Sequence, residues 1–256
     1  MNKDWPANQR VVQDYFDFCR LAGTDDEAFK TFKTNPAYQM VLEHLNESDG
    51  QYYIDLMNNE VPYDLELLKI NDFTGDSQTF NYEGWGKISP STLRYIKNVW
   101  DIGNAKLLGN HDDESVVEIG GGYGGLARVL LTRYPTAIYT LIDNADVNLL
   151  SRKYLDQWDV AFSYRVQTQD YRELFEITHC DLAISNYALS ELSLSLQVEY
   201  FYKILSKANH LYITYNFILS DSHMNFQIMM DKITKLFKVD VLTENPGNKI
   251  ILGVRK

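Results

Sequence analysis

From Ser115 onward, short β-rich runs alternate with amphipathic helical stretches, and this alternation restricts the fold more than any other feature of the chain. The runs are Ser115 to Ile119, Ala137 to Asp143, Ala161 to Gln167, Asp181 to Asn186 and Leu211 to Phe217. Helical periodicity covers Gly124 to Tyr134, Ala145 to Trp158 and Leu194 to Ala208 between them. Strands separated by helices of this length form a parallel sheet with right-handed crossovers, so the spacing predicts a doubly wound α/β domain. The pattern breaks after a helix from His223 to Phe237. Val239 to Thr243, the turn Asn245-Pro246-Gly247-Asn248 and Lys249 to Val254 read as a β-hairpin. One of its strands must run against the rest, which makes the sheet mixed.

Upstream, the pattern is helical. Asn35-Pro36 reads as an N-cap with Pro at the first helical position, followed by apolar Tyr38, Val41, Leu42 and Leu45. Asn71 to Ser89 carries Gly75, Gly84 and Gly86 among Phe73, Phe80, Tyr82 and Trp85, and reads as a loop with aromatic anchors. Ser89-Pro90 opens another helix, reaching roughly Leu108, with Leu93, Ile96, Val99 and Trp100 on one face. The expected organisation is a helical region over 1–108, forming a lid and acceptor pocket, and an α/β domain over 109–256.

The net charge of −11 repels polyphosphate, so a nucleic-acid partner is not expected and a small molecule is favoured. Cys19 and Cys180, far apart in sequence, make no disulfide framework or metal-ligand spacing and read as buried thiols. The longest apolar runs reach about half of the roughly 20 residues that a bilayer-spanning helix needs. Met1 to Pro6 has no apolar signal segment, so the expected location is the cytoplasm. The oligomeric state is left open, a homodimer included.

Val116-Val117-Glu118-Ile119-Gly120-Gly121-Gly122-Tyr123-Gly124-Gly125 places a glycine cluster between a buried strand and a helix. Glycines there permit a tight turn and let backbone lie against a ligand. Gly120, Gly122 and Gly125 fit the G-x-G-x-x-G of a dinucleotide site, whereas Glu118, Gly120, Gly122 and Gly124 fit the acid-x-G-x-G-x-G of an S-adenosylmethionine site. The turn alone does not choose between them. Glu118 favours the second, because a carboxylate would repel a pyrophosphate and attract a sulfonium and an ammonium. A dehydrogenase would also be expected to continue into a substrate domain.

Asp143 ends the second strand, where a carboxylate accepts hydrogen bonds from ribose hydroxyls, unless it caps the helix that follows. At the end of the third strand, Asp170 could meet an adenine edge and Tyr171 its face, unless Asp170 caps Tyr171 to Glu176.

With Leu141-Ile142-Asp143 and Asp181-Leu182-Ala183-Ile184-Ser185-Asn186-Tyr187 added to the glycine turn, the chain resembles the class I S-adenosylmethionine-dependent methyltransferases over about its last 150 residues. The resemblance implies a Rossmann-like, seven-stranded, mostly parallel sheet of order 3-2-1-4-5-7-6, counted from Ser115 to Ile119, with the last strand antiparallel. It implies S-adenosyl-L-methionine as cofactor. A narrower likeness, to the sugar O-methyltransferases of bacterial surface-polysaccharide clusters, rests on Gly86-Lys87-Ile88-Ser89-Pro90-Ser91-Thr92-Leu93-Arg94-Tyr95, the glycine turn, and Ser185-Asn186-Tyr187-Ala188-Leu189-Ser190-Glu191. It implies a sugar or sugar-nucleotide acceptor.

Methyl transfer to a hydroxyl is an in-line displacement that needs close positioning and a base. Glu191, after the fourth strand, and His223, after the fifth, are the candidate bases. Each also has a plainer reading, Glu191 as a helix-dipole carboxylate and His223 as a surface residue. Asp221 is a third choice of base, with a helix cap for its own segment as its plainer reading. Asn186 and Tyr187 are placed to orient cofactor or substrate; Tyr82 and Trp85 to stack on sugar faces, or to anchor their loop; Lys87 and Arg94 to pair with a phosphate or carboxylate, or to remain solvated. Without an Asp/Glu cluster on these loops, no metal is expected. The alternatives are another acceptor, such as a phenol, amine or carboxylate, and an inactive methyltransferase-like binding subunit.

Overall fold

The computed structural model describes residues 9–109, 111–158, 165–173, 177–244 and 247–256. Ala161 to Tyr164, Leu174 to Glu176, and Asn245-Pro246 of the expected hairpin turn lie outside the described residues. Helices α1 (Gln9–Thr24), α2 (Asp26–Lys30), α3 (Pro36–Gln39), α4 (Glu47–Leu56) and α5 (Leu65–Lys69) precede a small hairpin, β1 (Phe80–Tyr82) and β2 (Gly86–Ile88). Helix α6 (Pro90–Asn104) leads into β3 (Ser115–Ile119), α7 (Gly125–Arg133), β4 (Ile138–Asp143), α8 (Ala145–Leu155) and β5 (Val166–Asp170). The remainder is β6 (Cys180–Asn186), α9 (Ala188–Glu191), α10 (Leu194–Lys203), β7 (Ala208–Tyr215), α11 (Ser222–Leu236), β8 (Phe237–Glu244) and β9 (Asn248–Arg255).

The large sheet runs β5-β4-β3-β6-β7-β9-β8. Counted from β3, this is 3-2-1-4-5-7-6, as the resemblance implied. The β5, β4, β3, β6 and β7 pairs are parallel, while β9 is antiparallel to both β7 and β8. The strands alternate between two apolar layers. Val116, Tyr139 and Leu141 face a layer with side chains of α1, α6, α7 and α8; Val117, Ile119 and Ile142 face one with Leu196, Tyr200, Met229 and Ile233. Helix α1 packs along α8, where a Cβ on Gly23 would fall 2.7 Å from Leu149. Among the described residues no helix is long and apolar enough to cross a membrane.

Several sequence boundaries shift. The third run is a strand from Val166, since the described β5 begins there, and the helix expected to continue to Leu45 stops at Gln39. The stretch read as an irregular loop contains the β1–β2 hairpin, with Gly84 and Gly86 in the left-handed region at its turn. The caps at Asn35 and Ser89 form as read: each side chain accepts a backbone N–H, from Ala37 and Thr92. Asp221 makes no side-chain cap; the Ser222 hydroxyl instead accepts the Leu219 N–H. Cys19 and Cys180 are fully buried thiols.

The segment Asn71-Asp72 ties the helical region to the sheet. Ser89 and Thr92 hydroxyls both donate to Asp72 Oδ1, at 2.6 and 2.7 Å. Asn71, fully buried, donates to Thr92 Oγ1 (2.8 Å) and to Tyr123 Oη (3.0 Å), accepts from the Tyr154 hydroxyl, and its carbonyl accepts from Lys33 Nζ at 2.8 Å. Removing the amide strands several buried groups at once, so Asn71→Ala should destabilise the fold by about 3 kcal/mol in urea denaturation. A loss below about 0.5 kcal/mol, the level of an ordinary surface substitution, would contradict this role.

Candidate functional site

The turn Gly120–Gly124 sits at the carboxyl end of β3, where open α/β sheets bind ligands. Gly120 and Gly122 have φ of +77° and +55°. A Cβ on Gly120 would fall 2.1 Å from Ala188 Cβ, and one on Gly122 would fall 2.9 Å from Leu42 Cδ1. The turn is thus pressed from one side by α9 and from the other by the segment after α3. Between the glycines, Tyr123 is fully buried, its ring edge-on to Phe32 and Tyr154, with the Lys33 ammonium 4.6 Å from its centroid.

Glu118 lies beneath this turn, 3% exposed, and accepts a hydrogen bond from the Tyr139 hydroxyl at 2.9 Å. Burial pushes its carboxyl up to about 8; the Tyr139 hydroxyl opposes this and Asp143 adds to it. The Asn186 side chain, at the end of β6, is near enough to favour the Glu118 carboxylate, yet its Nδ2 has no aligned partner. Its Oδ1 accepts from the Thr214 hydroxyl. An acid stripped of water and an amide with unspent donors therefore share the space at the strand ends.

Asp143, 8% exposed, accepts the Gly122 N–H at 3.0 Å on Oδ2 and the Asn144 N–H at 2.7 Å on Oδ1. Burial pushes it up to about 6. It does not cap α8, because Asn144 does so by accepting the Asp146 N–H. Asp143 braces the glycine turn and lines a small cavity with Gly120, Asn144, Tyr171, Ala188 and Leu192. Asp170 is placed otherwise. Both its oxygens are engaged by the Arg172 guanidinium, and Oδ1 accepts the Arg172 N–H, so it caps the short helical turn Tyr171–Glu173. The plainer reading of that residue accounts for its contacts.

Glu191 ends α9, and its Oε1 accepts from Asn216 Nδ2 at 2.7 Å. Asn216 is itself held by Ser190, whose hydroxyl donates to Oδ1 and accepts the Asn216 N–H. Burial raises the Glu191 carboxyl and the Asn216 amide partly offsets this. His223 is exposed, its ring edge-on to Phe217 at 4.5 Å. Asn216 is the orienting residue that sequence reading missed; its position just after the apolar run of β7 is the one local signal for it.

Tyr82 and Trp85 do not offer stacking faces. Trp85 is 1% exposed within the core, and Tyr82 is 4% exposed with its hydroxyl donating to the Glu47 carbonyl. Their aromatic area closes the space between the hairpin and the helices. Lys87 is exposed on β2. Arg94 is buried among Tyr53, Tyr95 and Tyr187. Tyr187 has φ +67° and ψ −38°, a conformation costing on the order of 1–3 kcal/mol. Its hydroxyl donates to Glu244 Oε1, while Glu244 Oε2 accepts from Lys97.

A larger cavity, about 740 Å³, opens between the carboxyl ends of α6 and α7, lined by Tyr63, Asp64, Trp100, Arg133 and Tyr134. It lies by the amino ends of the strands and carries none of the expected site residues.

No family model matches the sequence, and no curated protein is similar to it. Solved structures do resemble it. A candidate S-adenosylmethionine-dependent methyltransferase from Methanococcus maripaludis is 14% identical, with 63% of this chain and 85% of that one covered at a TM-score of 0.47. An O-methyltransferase family protein from Burkholderia thailandensis is 15% identical, covering 64% and 59% at 0.48. The pyocyanin biosynthetic protein PhzM is 15% identical, covering 97% and 72% at 0.44. Likenesses at this level carry no ligand or reaction across, so the reading below rests on the residues.

The buried acid makes a prediction. Glu118 holds its proton to about pH 8 when folded, against an ordinary value of 4.5. Its contribution to stability is therefore complete below about 4.5 and is lost as pH rises towards 8. Glu118→Gln removes that dependence and should be more stable than the parent at pH 8 by roughly 2–4 kcal/mol, and by much less at pH 5, in urea melts. Equal differences at the two pH values would refute the assignment.

Proposed function

We propose that the protein is an S-adenosylmethionine-dependent O-methyltransferase acting on a sugar or sugar nucleotide. The observation that carries the cofactor reading is Glu118: a desolvated carboxyl directly under a glycine turn is a poor neighbour for pyrophosphate and a good one for a sulfonium and an ammonium. The unpartnered Asn186 amide fits the same ligand, since it has donors to give to an amino-acid portion. Asp143, Tyr171 and the cavity beside Gly120 suit a nucleoside, with the Asp143 carboxyl near ribose hydroxyls. Asp170 stays with Arg172 and takes no part. The sugar acceptor rests on the likeness of Gly86 to Tyr95 and of Ser185 to Glu191 to sugar O-methyltransferases.

S-adenosylmethionine bound there supplies an electrophilic methyl group. Glu191 receives the proton of the acceptor hydroxyl, since burial lifts its basicity and Asn216 fixes one oxygen, leaving the other to act. His223 is exposed and has no buried orienting partner among the described residues, so it is the less favoured candidate. Ala188 and Leu192, which flank Glu191 in sequence, line the small cavity beside Gly120. The segment around Leu42, which packs on Gly122, would with the helical region act as a lid that keeps water from the reacting centre.

Two measurements test this. Binding of S-adenosylmethionine should release a proton near pH 7, because the cation draws it from Glu118; calorimetry in buffers of different ionisation enthalpy would read it, and affinity should climb with pH up to about 8. No binding heat would remove the cofactor reading. In methyl-transfer assays on sugars followed by mass spectrometry, Glu191→Gln should lower kcat by about 100-fold or more with cofactor affinity unchanged, and His223→Ala should leave kcat within roughly threefold. The reverse pattern would make His223 the base.

A further inference from the structure

Arg94 is 7% exposed. Its guanidinium has five donors, and its hydrogen bond is a long one, 3.5 Å from Nη2 to the Leu42 carbonyl. Its Cζ lies 5.7 and 5.5 Å from the ring centroids of Tyr95 and Tyr187, faces that stabilise a cation without satisfying its donors. Among the described residues no carboxylate oxygen comes within 4.0 Å of its nitrogens. The nearby Glu43 accepts instead from the Ser91 hydroxyl at 2.7 Å. The chain treats another buried cation quite differently, holding Lys97 between Asp101 at 2.8 Å and Glu244 at 2.9 Å. A buried charge left this way is costly unless something else completes it.

The position of Arg94 says where that something arrives. Leu42, whose carbonyl it touches, packs on Gly122, and the next residue, Tyr95, would meet a Cβ on Gly125 at 2.6 Å. Tyr187, under its face, precedes Ala188, which presses on Gly120. The residues around the guanidinium thus pack on the glycine turn from two sides.

We infer that Arg94, walled by Tyr53, Tyr95 and Tyr187, is the receptor for a carboxylate on a ligand bound at the turn. A carboxylate fits better than a phosphate. One planar anion matches the guanidinium fork with two parallel hydrogen bonds and a single charge, whereas a dianion would leave one charge buried beside Glu43. The carboxylate has two sources, the amino-acid end of the cofactor or an acidic acceptor such as a uronic acid; the first rests on the cofactor reading given above.

Arg94→Met separates these sources, with binding measured for S-adenosylhomocysteine, for methylthioadenosine, which has the nucleoside but no carboxylate, and for glucuronate beside glucose. If the cofactor is the source, the variant loses at least about tenfold in affinity for S-adenosylhomocysteine and none for methylthioadenosine. If the acceptor is the source, S-adenosylhomocysteine is unaffected and the preference for glucuronate over glucose disappears. In either case the ligand-free variant should melt no lower than the parent, because an unpaired buried charge has been removed, and Arg94→Lys should retain part of the affinity. Unchanged binding of both carboxylates, or a lower melting temperature with loss of every probe including in Arg94→Lys, would overturn the proposal. A parent protein that ignores S-adenosylhomocysteine but binds glucuronate through Arg94 would sink the cofactor reading and leave this site standing; one that binds neither would end both.

Discussion

The glycine turn owes its shape to one aromatic ring pulled out of it. Tyr123 stands among five glycines and yet is fully buried, its hydroxyl accepting from Asn71 and its ring set against Phe32, Tyr38, Tyr95 and Tyr154. Four of those five partners, Asn71, Phe32, Tyr38 and Tyr95, precede the α/β alternation, and the fifth, Tyr154, is on α8. The Lys33 ammonium adds a cation over the ring and ties itself to the Asn71 carbonyl and the Ser77 hydroxyl. Glycines alone would leave the loop many conformations, so it is the tyrosine, held by residues 32 to 95, that selects one. The helical region is in this sense part of the mould in which the turn is cast, and its apolar layer is continuous with that under the sheet.

Charge is laid out around the turn in a consistent order. Glu118 and Asp143, both raised by burial, lie under and beside it; Glu191, also raised, lies beyond Ala188; the Arg94 cation lies across from them. Acids kept away from water are poised to change protonation when a cation arrives, and a buried cation with no carboxylate in hydrogen-bond contact is poised to take an anion. A zwitterionic ligand with a cationic centre and a carboxylate satisfies both at once, which a neutral nucleoside does not.

Sheet class, hairpin closure, the two proline-marked caps and the glycine turn were legible because each depends on local spacing and on residues that act through their own backbone. Asp143 was legible for the same reason, by its distance from the glycines, and the competing cap was settled by its neighbour Asn144. What was not legible was burial. Trp85 and Tyr82 have the same residue types whether they stack on a ligand or seal a hairpin, and only the position of α4 and α6 decides. Nor could spacing foresee that Asn216 would reach Glu191, or that Glu244, more than fifty residues on, would reach Tyr187, since both pairs exist only when β6, β7 and the hairpin are side by side.

That last pair gives the terminal hairpin a part in the site. Closing a sheet edge requires only backbone pairing, yet Glu244, 3% exposed at the end of β8, divides its carboxylate between the Tyr187 hydroxyl and the Lys97 ammonium. Lys97 continues to Asp101, which accepts from the Tyr212 hydroxyl on β7. A polar chain thus crosses from the hairpin through α6 to the strand beside the site. Tyr187 sits in a backbone conformation that a non-glycine residue holds only when its surroundings insist on it. The Glu244 hydrogen bond is such a restraint: it pins the ring from its far end, under Arg94, while Asn186 and Ala188 on either side stay fixed to the strand and the turn. Strain in one residue, paid out across three elements, is what keeps the guanidinium, the amide and the glycine turn facing a common space.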